Sequence, residues 1–352
     1  MAYSTVNKSS SVFNTALWTA NGSGATVSSV GFQPDLVFQK CRTNTYAPLM
    51  VDSIRGVTKE MYTDGPNVNT TVSTGLTAFN SNGFVYGNAA QWANNGNDWV
   101  SWNWKAGTAM SGNTTGSGSY KTYTGTKNTA SGFAIIKYTG NGTAGHQIPH
   151  NLGTAPKFMI VKSLASNNWA VFHQGMTLNG GNAGNAYAFL ESTAEEAGGT
   201  PYWNGVYPST TTFTVGTSNR VNTNDQEYIA YVWSEVRGYS SFNSYQGNNN
   251  ADGTIIFCGF KPSLIICKTV TSNVQGGWQL RDNKRTPTGN LTNNLLYANA
   301  SSSQQTTDGI DILSNGFKFR NQAGDCNASR KYIYMAWGQP MVGSNNVPNN
   351  AY

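Results

Sequence analysis

Charge is scarce in this chain: Asp, Glu, Lys and Arg make up 11% of its 352 residues. Exposed helical surfaces draw on Glu, Lys, Arg, Gln and Ala, so a mainly helical architecture is excluded. Histidine occurs three times and cysteine four, at Cys41, Cys258, Cys267 and Cys326. A disulfide framework would be denser and in register with the repeats described below. These thiols therefore read as free and mostly buried, in a protein made in a reducing cytoplasm. No apolar run approaches the roughly 20 residues that cross a bilayer, and the opening MAYSTVNKSSSVFNTA has no apolar signal core. Membrane insertion is not expected. The net charge is +6, but the basic residues are scattered, with Arg281, Lys284 and Arg285 the densest cluster. A nucleic-acid groove is not expected either.

Glycine, with 39 residues, and aromatics, at 12% with ten Trp and eighteen Tyr, are abundant. Asn, Ser and Thr dominate the polar set. Aromatics suit pleated, half-buried surfaces, and the reading is all-β. One pattern occurs three times: an aromatic, a small polar turn with Asn, and a proline before a short apolar run ending on lysine. The aromatics are Trp18, Tyr138 and Tyr245, and the turns contain Asn21, Asn141 and Asn248. The prolines are Pro34, Pro156 and Pro262, and the lysines Lys40, Lys162 and Lys268. Downstream follow a weaker element (SNGFVYG, TTFTVG, SNGFKFR) and a strong one (WVSWNW, YIAYVW, YIYMAW). Alternation in a strand puts Val100, Trp102 and Trp104 on one face, and likewise Ile229, Tyr231 and Trp233, then Ile333, Met335 and Trp337. The prolines are too far apart for a solenoid.

The expectation is three tandem β-sandwich repeats of jelly-roll or lectin-like form, at 13–107, 132–238 and 239–340. A polar arm (1–12) precedes them and an Asn/Pro tail (341–352) follows. Residues 108–131, rich in Gly, Ser and Thr, read as a flexible linker with KTYT as an edge strand. STAEEA (192–197) reads as a short helical turn, and VDSIRGVTKEMYTDG (51–65) as a solvated hairpin end.

Candidate chemistry is sparse. His146 and His150 lie in a Gly/Pro turn that lacks the third ligand zinc needs, and the other two repeats make that turn without histidine. They read as structural, and neither metal nor cofactor is expected. Asp52, Glu60, Glu195, Glu196, Asp225, Glu227, Asp282, Asp308 and Asp311 form no recognisable acid/base pair. The Asn-rich acidic loops 248–253 and 308–311 miss the spacing of a calcium loop. Flat aromatics stack on sugar faces, and among ten tryptophans the ligand-binding candidates are Trp203 with Tyr202 in the loop TPYWNGVYP, then Trp169 and Trp278. Trp92 and Trp99 are further candidates.

The combination of YTGNGT (138–143), HNLG (150–153), PKFMIVK (156–162) and YIAYVW (228–233) resembles repeat domains of tail-fibre-like and other virion appendage proteins of marine phages, especially those of cyanobacteria. GFQPDLVFQK with DSIRG and FNSNGF, and GFKPSLIICK with ILSNGF, carry the same resemblance. It implies a non-enzymatic virion structural protein, assembled in the host cytoplasm and attaching the particle to host-surface glycans. The implied partners are other virion proteins of the tail or capsid and further copies of the chain, a trimer being one form. No catalytic residues come with the resemblance. A capsid decoration protein and a polysaccharide-degrading tail spike are the alternatives. Long phage fibres carry a shaft, and the chain shows neither heptads nor a Gly-X-Y run.

Overall fold

The computed structural model describes residues 3–178, 181–271, 276–286 and 290–342. Of the expected arm and tail, residues 1–2 and 343–352 lie outside it. The regular secondary structure is almost all strand, with single α-helical turns at Ala90–Ala93 and Thr200–Trp203.

The first segment contains β1 (Phe13–Thr19), β2 (Ala25–Val27), β3 (Leu36–Cys41), β4 (Leu49–Asp52), β5 (Lys59–Tyr62), β6 (Thr70–Thr71), β7 (Leu76–Asn80), β8 (Gly83–Tyr86) and β9 (Asp98–Trp104). They form one sheet in the order β1-β9-β3-β4-β5-β6 and a small one, β2-β8-β7.

The second segment opens with β10 (Thr108–Asn113), β11 (Thr115–Gly116) and β12 (Thr122–Asn128), so the stretch expected to be a linker forms strands. Its Thr residues and paired backbone supply the ladder that composition alone concealed. There follow β13 (Phe133–Thr139), β14 (His146–Pro149), β15 (Pro156–Ser163), β16 (Trp169–His173), β17 (Ala186–Phe189), β18 (Ala197–Gly198), β19 (Thr212–Val215) and β20 (Glu227–Ser234). The orders are β10-β12-β13-β20-β15-β16-β17-β18 and β11-β14-β19. The turn expected at 192–197 is not helical; Lys268, described below, engages its carbonyls instead.

The third segment holds β21 (Ser240–Gln246), β22 (Ile255–Phe257), β23 (Phe260–Thr269), β24 (Gln279–Asp282), β25 (Thr292–Tyr297), β26 (Gln305–Leu313), β27 (Gly316–Phe319) and β28 (Lys331–Pro340). Here one sheet runs β21-β28-β23-β24-β25-β26-β27-β22. In every segment the last strand (β9, β20, β28) sits between the strand that leads into the Asn turn (β1, β13, β21) and the proline-led strand, and all these pairings are antiparallel. Pro156 and Pro262 sit where the ladder shifts register, a position that tolerates a residue without an N–H.

The tryptophan-bearing faces meet. Trp102, Trp104, Tyr231, Trp233, Met335 and Trp337 all belong to one core, to which the three segments contribute alike. Trp104, Trp233 and Trp337 form a triangle with ring centroids 5.9, 5.4 and 5.8 Å apart and edge-to-face geometry, the arrangement that ring quadrupoles favour. The opposite faces pack into separate cores within each segment, one each in the second and third and a larger and a smaller one in the first. The expectation of domain-sized units therefore needs revision: the units share an interior.

Polar contacts close the same ring. Asp52, His173 and Asp282 end β4, β16 and β24. Tyr231 donates its hydroxyl to Asp52 Oδ2 at 2.7 Å, and Trp102 donates Nε1–H to Asp282 Oδ2 at 3.0 Å. His173 Nε2 meets the Tyr334 carbonyl at 3.1 Å. Segments one and two, three and one, and two and three are thus joined from matching positions. Both aspartates are held by an arginine three residues on, Arg55 at 2.5 Å and Arg285 at 2.6 Å, and all four side chains are buried. The stretch 51–65 is a hairpin, but the charges of Asp52, Arg55 and Glu60 within it are interior rather than solvated. Arg281 and Arg285 are likewise buried, which leaves Lys284 as the one exposed cation of the densest basic cluster.

Candidate functional site

Each large sheet has two ends. In the first, Phe13 and Leu36 lie level with Trp104, while Cys41 lies level with Trp99 and Thr19 with Asp98. The same register places Lys162 and Lys268 far from Trp233 and Trp337. One end is therefore the tryptophan end, and the other carries the Asn turns.

Local chemistry builds those turns identically. Asn21, Asn141 and Asn248 each accept, through Oδ1, the backbone N–H two residues on, from Ser23, Thr143 and Asn250, at 2.9–3.1 Å. This is the Asx turn that makes Asn a turn residue. The preceding aromatic pins each turn to the loop before the last strand: Trp18 Nε1–H to the Trp92 carbonyl, Tyr138 Oη–H to Val221, and Tyr245 Oη–H to Cys326. Below the turns lie the three lysines, all fully buried. Lys40 donates to the Tyr46 carbonyl, and Lys162 to those of Ser163 and Ala165. Lys268 crosses to the second segment and donates to Thr193 and Ala194, and also to Thr269. Burial lowers each ammonium to about 8.

Above this frame the exposed residues are almost all neutral and polar: 21–24, 43–45 and 95–96, then 142–144 and 223–225, then 248–252. Asp225, paired with Lys121 at 2.6 Å, and Asp252, paired with Lys318 at 2.6 Å, are the charged exceptions there. Amides and hydroxyls offer donors and acceptors side by side, suited to hydroxyl-rich ligands.

The expected stacking residues are elsewhere. Trp203, Tyr202, Trp169 and Trp278 are all buried, as are Trp92 and Trp99, and none offers a free ring face for a sugar. Trp169 Nε1–H donates to the carbonyls of Tyr62 and Gly65, and Trp278 Nε1–H to that of Phe189. They are wedges between neighbouring segments. Tyr202 stacks on Tyr187 with centroids 3.7 Å apart, and Trp203 packs against Phe172. An indole whose apolar area finds a neighbouring sheet is worth more buried than displayed.

His146 and His150 are buried with both ring nitrogens engaged. His146 meets Asn222 Oδ1 and Thr114 Oγ1, and His150 meets the Ser209 carbonyl and the Leu152 N–H. Burial lowers His150 to about 4 and His173 to about 3. Among the described residues, no group of three or more His, Cys, Asp or Glu could hold a metal ion. The candidate carboxylates are dispersed: Asp52 and Asp282 are bound by arginine, Glu60 accepts from Trp92 and Tyr62, and Glu227 pairs with Lys137. Asp311 pairs with Arg320. The four cysteines are free thiols. The Asp-x-x-Arg pairs escape a reading of the sequence for known motifs, although their identical spacing at 52–55 and 282–285 is a visible signal.

Residues 8–340 match a family model described as a domain of unknown function, DUF7483. No curated protein and no solved structure matches the chain.

Proposed function

This chain belongs to the DUF7483 family, and we propose that it is a non-enzymatic structural module of a phage particle, three β-sandwich repeats of one module closed into a single head. It is carried on the tail or capsid by its tryptophan end and presents its Asn-rich end to host-surface glycans. The observation that carries this reading is the threefold recurrence of the Asx turn at one end, among exposed residues that are almost all neutral and polar. Residues 3–12 pack at the other end, where Tyr3 bonds to Gly259 and Ser9 to Gln339. Contact would come from many weak polar hydrogen bonds multiplied by copy number, without the aromatic platform the sequence suggested.

The test is binding of the folded chain to immobilised envelope polysaccharide of candidate cyanobacterial hosts. Arginine placed at Ser23, Thr143 and Asn249, all exposed, should abolish binding with the circular dichroism spectrum unchanged. Retention on glycan that survives all three substitutions would remove the turn end from consideration. Absence of binding by the parent chain on every host glycan, with the chain located on the capsid shell in a particle reconstruction, would favour shell decoration instead.

A further inference from the structure

The three strands β2, β14 and β22 occupy matching places, each paired with the strand of the weaker repeated element, yet their outer edges differ. Strand β14 is covered: β11 pairs with it, Thr115 opposite Gln147 and Gly116 opposite His146. That cover comes from the long connection between the first and second segments. The connection between the second and third is short, Ser234 to Ser240, and supplies no strand. Among the described residues, strand β22 accordingly ends its sheet, paired with β27 on one side alone.

The side chains on this open edge are unusual for one. Ile256 points inward, while Ile255 and Phe257 are 56% and 66% exposed. The other open edge, β2, exposes Thr26 instead. Edge strands left free carry charge, proline or a bulge; β22 has none of these within its three residues. Its sequence is self-complementary. Antiparallel pairing about Ile256 sets Ile255 of one strand against Phe257 of the other, twice, and aromatic with β-branched is a favourable cross-strand pair.

We propose that β22 is a self-association edge: two copies of this chain pair antiparallel through it across a twofold axis, joining their third-segment sheets. The contact reproduces between molecules what β11 does for β14 within one. A three-residue strand buries far less than the roughly 1,200 Å² of a stable interface. The pair is therefore weak and concentration-dependent, as suits a protein gathered in many copies on one assembly.

Sedimentation velocity of the full chain from about 10 μM to about 1 mM, a range bracketing weak association, tests this. The weight-average mass should climb from 37.8 kDa toward twice that value. Phe257→Lys and, separately, Ile255→Lys should hold it at the monomer value, because both positions are exposed and the fold does not depend on them. Tyr207→Lys, which removes an exposed ring (48%) elsewhere, should leave the rise intact. A parent chain that stays monomeric overturns the proposal, as does a rise that survives Phe257→Lys and Ile255→Lys. Equal loss with Tyr207→Lys would mean nonspecific adhesion and overturns it too.

Discussion

Excising the middle segment asks whether the shared core or the separate cores hold each unit together. Residues 132–238, expressed alone, would expose Phe133, Ile135, Phe158, Ile160, Val171, Met176, Ile229 and Trp233 on the face that meets the other two segments. Full burial of such a side chain contributes about 2 kcal/mol. If in-sheet neighbours retain half of that, the excised unit forfeits on the order of 8 kcal/mol. A whole domain is stable by only about 5–15 kcal/mol, so the fragment should not persist as a folded monomer. Light scattering with amide NMR decides it. The expected result is poor dispersion, or a homotrimer in which three copies of Trp233 rebuild the triangle. A monodisperse monomer with dispersed amides and a cooperative melt would refute the shared-core argument.

Tyr231→Phe removes the hydroxyl donated to buried Asp52 and should cost about 1.5–3 kcal/mol in urea unfolding; a loss under about 0.5 kcal/mol would show that this junction adds little. His150 and His173 sit near 4 and 3 when folded, against an ordinary value of about 6.5. Below about pH 6.5 the unfolded chain binds protons that the folded chain refuses, so stability falls as pH drops toward about 4. His173→Gln should flatten that slope by about 1.4 kcal/mol per pH unit, read from denaturant midpoints across roughly pH 4–6.5; an unchanged slope would assign acid lability to other groups. Gly83→Ala would put a methyl 1.8 Å from the Val27 carbonyl, and Gly316→Ala 2.0 Å from that of Ile256. Either should lower stability by about 3 kcal/mol through local displacement, and thermal melts matching the parent would mean that the small sheets yield freely.

Strand class and face were legible because they are local properties. Alternation along WVSWNW, YIAYVW and YIYMAW told which residues share a side, and all the large ones on that side do enter a core. The Asn turns were equally readable, since an Asx turn is made by one side chain and the backbone beside it. What faces those strands was not legible. Trp169 and Trp278 look the same in sequence whether they stack on a sugar or wedge into a neighbour. Only docking of one segment on the next supplies the carbonyls of Tyr62 and Phe189 that satisfy their indoles. Asp52 read as part of a solvated hairpin end for the same reason, and the burial of Asp282 was equally hidden, because the donors that make their burial tolerable, Tyr231 and Trp102, come from other segments. Residue pattern decided that this chain would be sheet and would repeat. The closing of the three sheets on one interior belongs to tertiary structure, because it rests on contacts such as Tyr231 with Asp52 and Trp102 with Asp282, 179 and 180 positions apart.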